Sequence, residues 1–148
     1  MQLPDYITVD EVKRVCKQLE IRDWTALKEA TVLPEEAARI LALVNVTKMP
    51  VVVEDFKTGL EVELEHGMVF PDANVTNNHP VLTGKIVMAH FKESLDYYQR
   101  LAVAEIEGDM AKAAAAGDAG KLMEKYRHLL QARLKLAEVE DRIMRMGA

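Results

Sequence analysis

Four pairs of apolar residues recur every seven positions near the end of the chain: Leu122-Met123, Leu129-Leu130, Leu136-Ala137 and Ile143-Met144. Seven residues are close to two turns of α-helix, so all four pairs fall on one side of a helix. A stripe two residues wide suits a bundle better than a narrow two-stranded coil. Upstream, Val87, Phe91, Leu95, Tyr98, Ala102, Ile106, Met110 and Ala113 step by three or four from Thr83 onward. Gly117-Asp118-Ala119-Gly120 interrupts the run. The spacing predicts a long antiparallel helical hairpin over 83–148, with the second helix starting near Lys121. Each arm is expected to be about 40–50 Å long at 1.5 Å rise per residue.

The first 82 residues read as short helices ending in a polar loop. Thr8 followed by Glu11 is a capping-box pattern, and Val9, Val12, Val15, Cys16 and Leu19 give the following helix one apolar face. Thr25 is placed to start a short turn, with Trp24 as a core anchor. Pro34 fits the first position of a second helix whose Ala37, Ile40, Leu41 and Val44 face inward. Residues 45–53 break the pattern and suit extended backbone. Asp55 is the expected cap of a third helix carrying Phe56, Leu60 and Leu64, with Gly67 as its stop. Residues 67–82 form a loop rich in Asn, Asp and Pro, long enough to suggest a functional role. The fold class expected is all-α: short N-terminal helices and a long C-terminal antiparallel hairpin.

Composition narrows the function classes. At 148 residues the chain makes one domain, or one with an appended arm, and its 49% apolar residues supply a core without disulfides. The single cysteine, Cys16, excludes an intrachain disulfide and any cysteine-cluster zinc site. Net charge is −5 and no block of Arg and Lys occurs, so a general nucleic-acid binder is not expected. Residues 1–84 carry 8 basic against 14 acidic side chains, whereas 85–148 are nearly balanced at 11 against 10. No apolar run is long enough to span a bilayer, and the opening residues lack the basic-then-apolar pattern of a secretory signal. A cytoplasmic location is the expectation, or a virion if the chain has a phage origin.

One cluster carries residues suited to chemistry. Glu63 and His66 share a helix face at i, i+3, and His90 and Glu93 repeat that spacing on the hairpin helix. Carboxylate–histidine pairs on two facing helices hold zinc, iron or manganese in bundle proteins. Six carboxylates against one lysine between Glu54 and Asp72 favour that reading. The inverted order of the second pair and the lack of bridging glutamates count against it, because such pairs are also ordinary salt bridges and caps. Glu65, Asp72, Asn74, Thr76, Thr83 and Tyr97 complete a polar network that would pin the loop to the base of the hairpin.

Other motifs fail on inspection. Asp72, Asn74, Thr76 and Asn78 have the rhythm of a calcium loop, but Asn77 replaces the turn glycine and Thr83 the bidentate glutamate. Thr83-Gly84-Lys85 has the ending of a phosphate loop, but Ile86 follows the lysine and His79 replaces the earlier glycine, so Thr83 is read as a helix N-cap. Cys16 sits in an apolar helical setting with no histidine partner. No nucleophile–base pair is visible, and no catalytic residue is assigned.

Glu63-Leu64-Glu65-His66-Gly67, Asn74-Val75-Thr76, Leu82-Thr83-Gly84-Lys85-Ile86, Ala89-His90, Glu93 and Asp96-Tyr97-Tyr98 together resemble a family of uncharacterised bacterial and bacteriophage proteins, a domain of unknown function. The resemblance covers roughly residues 54–101. Leu95 stands where that pattern usually has proline. It brings no activity or ligand, but implies a phage or prophage origin. The expectation is therefore a non-enzymatic structural protein, such as a virion or assembly component. It would bury Leu122, Leu129, Leu130, Leu136 and Ile143 against a copy of itself or another helical protein. The alternative is a metal-binding protein with His66, His90, Glu63 and Glu93 as ligands.

Overall fold

The computed structural model describes residues 7–146, and all its regular elements are helical. They are α1 (Val9–Gln18), α2 (Pro34–Val44), α3 (Val53–Val69), α4 (Pro80–Glu93), α5 (Tyr97–Ala115) and α6 (Ala119–Met146). Two compact units result, Met1–Lys92 and Glu93–Ala148. Among the described residues no helix is long and apolar enough to cross a membrane.

Local sequence explains most helix starts. Thr8 Oγ1 accepts from the Glu11 N–H at 3.2 Å and caps α1. Pro34 opens α2, where its missing N–H costs nothing. Asp23 Oδ1 takes the Thr25 N–H at 2.9 Å and starts the short 3-10 turn Trp24–Ala26.

In the first unit α2 packs along α3. The core is made of Val12, Cys16, Trp24, Ala37, Ile40, Phe56, Leu60, Leu64, Val87 and Phe91, all nearly inaccessible to water. Cys16 lies within it, and burial pushes its thiol pKa up, as suits a packing residue. At Gly84, α4 packs tightly against its neighbours. A Cβ there would lie 2.6 Å from Ile40 Cγ2 and 3.3 Å from Phe56 Cζ.

The second unit is an antiparallel hairpin of α5 and α6. Arg100 reaches Glu140 at 2.6 Å, Arg133 reaches Glu107 at 2.7 Å and Lys125 reaches Asp109 at 2.8 Å, so numbers rise along one arm as they fall along the other. The turn is the expected one. Gly117 takes φ +69°, and the Asp118 N–H returns to the Ala113 carbonyl, a Schellman stop. Asp118 Oδ1 then accepts from the Lys121 N–H and caps α6.

Several sequence expectations are corrected. The arm expected to run unbroken from Thr83 is two helices, because Ser94–Asp96 interrupt it. Asp96 is buried and accepts from Ser94 Oγ and, at 2.6 Å, from Arg100 Nη2, bonds that compete with a continuous helix. Burial raises the Asp96 pKa, but these donors outweigh it and hold the group below the usual carboxylate range. The first arm is therefore α5 alone, about 28 Å long at 1.5 Å per residue, against about 42 Å for α6. Within residues 45–52 the Asn45 side chain bonds both the N–H and the carbonyl of Met49 and closes a turn. Val52 precedes α3, so Asp55 lies inside its first turn, and α3 continues past Gly67 to Val69.

Candidate functional site

The sequence marks a polar cleft and an apolar helix face, and each lies within one unit. In the first, α3 presents Glu63 and His66 on one side, and α4 brings His90 against them. Glu63 Oε1 is 3.6 Å from His90 Nε2, and its Oε2 is 3.9 Å from His66 Nδ1. Beside them is a cavity of about 180 Å³ lined by Glu63, His66, Phe70, Asn74, Thr83 and Ile86, among others. Three of the four expected ligands are thus neighbours. Glu93 is exposed at the last residue of α4. Among the described residues no group of three or more His, Cys, Asp or Glu is disposed to hold a metal ion.

The loop beside the cleft is held by asparagines. Asn74 Nδ2 donates to the Gly67 carbonyl at 3.1 Å and to Asn78 Oδ1 at 3.0 Å, while its Oδ1 accepts from the Asn78 N–H. Thr76 Oγ1 donates to Asn74 Oδ1 at 3.4 Å. A Cβ on Gly67 would collide with the Asn78 and Asn74 side chains that pack over it. Asn77 and Asn78 adopt positive φ, which asparagine tolerates better than most residues. Asp72 and Glu65 are exposed; Tyr97 is half-buried in the second unit, edge-on to Tyr98.

The cap of α4 differs from expectation. Thr83 is buried inside the helix, and His79 performs the capping: its Nδ1 accepts from the N–H groups of Val81 at 3.2 Å and Leu82 at 3.3 Å. The readable signal was Pro80, since the residue before a proline at N1 is the N-cap. Capping requires a neutral imidazole. Burial depresses the His79 pKa, with Glu11 pulling it up and Arg14 pushing it down. Stability from this cap is complete above the ordinary imidazole value and lost as pH falls below it, because the unfolded chain takes the proton first. Between about pH 7.5 and about pH 5.5 the His79→Asn variant, whose cap does not titrate, should lose less stability than the parent. Equal losses in denaturant midpoint would exclude the assignment.

In the second unit the apolar pairs of α6 divide. Leu129 is buried, and Leu122, Leu136 and Ile143 are half-buried. Met123, Leu130, Leu134 and Met144 are each more than half exposed. With Ala137 they form a second apolar stripe on the outward side, in which Met123, Arg127, Leu130, Leu134, Ala137, Asp141 and Met144 are spaced alternately by four and three. That spacing is the seam of a helix pair. Arg127 has no ion-pair partner among the described residues, and Asp141 pairs with Arg145 at 2.9 Å.

The model of one protein family, described as a protein of unknown function (DUF5661), matches residues 12–107. No curated protein matches the chain, and no solved structure does.

Proposed function

We propose that this chain, which belongs to the DUF5661 family of proteins of unknown function, is a non-enzymatic structural protein that associates with a second copy through the outward face of α6. The observation that carries this reading is the exposed seam from Met123 to Met144, which has no cover within its own hairpin. Its charges favour an antiparallel pairing of copies. Arg127 lies seven residues before Leu134 and Asp141 seven after, so a two-fold axis near Leu134 brings each Arg127 towards Asp141 of the second copy. A parallel pair would instead set Arg127 against Arg127 and Asp141 against Asp141, like charge on like.

The test is the mass in solution, by sedimentation or light scattering over a concentration series. Burying one leucine contributes about 1.5–3 kcal/mol, and Leu134 enters a two-fold interface twice, so Leu134→Asp should weaken association by about a hundredfold or more. Leu130→Asp should act likewise. Both side chains are exposed in the hairpin, so neither substitution disturbs its buried face. A monomeric parent chain, or variants of unchanged mass, would remove the proposal.

A further inference from the structure

Between α2 and α4 lies a groove of about 370 Å³, within the range of small-molecule pockets. One wall is the end of α2 and the turn after it, with Leu43, Val44 and Val46; the other is the face of α4 formed by Lys85, Met88, Ala89 and Lys92. Leu43 and Val46 are exposed although apolar. Only two charged side chains line the groove, and both are lysines. Neither forms an ion pair among the described residues. Lys85 and Lys92 are two turns apart, about 10.5 Å along the axis, with small Ala89 between them, and lysine stems are long enough to lean over such a gap.

An apolar floor edged by two unpaired cations, with no carboxylate in the lining, matches a ligand with an apolar body and an anionic head. We infer that this groove binds a free single-chain anionic amphiphile, its chain against Leu43, Val46 and Met88 and its head on Lys85 and Lys92. Gly84 lets α4 seat closely on Ile40 and Val44, and so sets the depth of the groove.

Decanoate, held below micelle formation, is the probe, followed by calorimetry and by NMR shifts. One equivalent should bind saturably and shift resonances of Val46, Met88 and Ala89. Each lysine contact on a partly exposed surface is worth up to about a fivefold change, so Lys85→Gln/Lys92→Gln should weaken binding roughly five- to tenfold and flatten its salt dependence. Decyltrimethylammonium should bind more weakly than decanoate. Circular dichroism will show that the double variant, changed only at exposed positions of α4, keeps its helix content. Failure of decanoate to bind, equal binding by the double variant, or equal binding of the cationic analogue would overturn the inference. So would association with phosphatidylglycerol vesicles and none with free decanoate, which would make the lysines a bilayer contact.

Discussion

Glu36→Ala is expected to lower the unfolding free energy by about 3 kcal/mol, the low end of what breaking a buried ion pair costs. Glu36 is 2% exposed, and its carboxylate accepts four hydrogen bonds. Arg22 gives three, from its backbone N–H and Nε at 2.9 Å and its Nη2 at 2.7 Å, and the Leu33 N–H gives the fourth at 3.0 Å. The same guanidinium reaches the Thr31 carbonyl at 2.7 Å, so one carboxylate holds the chain on both sides of the loop leading into α2. The Arg22 side chain is 36% exposed and keeps part of its hydration when Glu36 is removed, which places the cost low in the range. Burial raises the Glu36 pKa, but the Arg22 and Leu33 donors prevail and hold it below the usual carboxylate value. Its contribution is therefore present at neutral pH and lost as pH falls through that depressed value. Glu36→Gln, which keeps the shape and loses the charge, should recover part of the loss. Denaturant unfolding decides it: an alanine variant within about 1 kcal/mol of the parent would show that water replaces the carboxylate there.

Gly84→Val should cost about 3 kcal/mol, at the upper end of the usual overpacking range. A Cβ alone would stand 2.6 Å from Ile40 Cγ2, 3.3 Å from Phe56 Cζ and 3.4 Å from Val44 Cγ1. Ile40 and Phe56 are fully buried, so neither can turn away without displacing others. Gly84→Ala is the informative companion. In a helix interior alanine is favoured over glycine by about 1 kcal/mol, which offsets part of the clash. The alanine variant should lose only about 1 kcal/mol and the valine variant clearly more. Equal stability of both with the parent would mean that α2 and α4 separate at little cost, and the groove beside them would then be deformable.

The expected ligand cluster shows how far spacing reaches. The i, i+3 rule places Glu63 beside His66 on α3, but their approach to His90 depends on how α4 packs, and no local pattern encodes that. Asn74 was legible as a turn residue, while its bond to Gly67 O became visible only once the loop had closed. Glu36 carried no signal of burial at all, since its partner Arg22 is 14 residues away and their pairing is made by the fold. His79 is legible from local sequence, since proline at N1 identifies the cap before it, whereas Thr83 of the Thr-Gly-Lys word lies buried inside the helix.

What the sequence determined by itself is the all-helical class, the cap at Thr8, the helix start at Pro34, the turn at Gly117-Asp118 and the seven-residue repeat of α6. Each is set within a few residues by propensity, capping or periodicity. The tertiary structure decided which member of each α6 pair turns inward, Leu129 or Leu130. It also buried Asp96 beside the break that follows Glu93, and buried Glu36 against Arg22. The physical reason is one of range. A side chain's helical position follows from its neighbours in sequence, but its burial and its hydrogen-bond partners depend on groups that only the folded chain brings within a few ångströms.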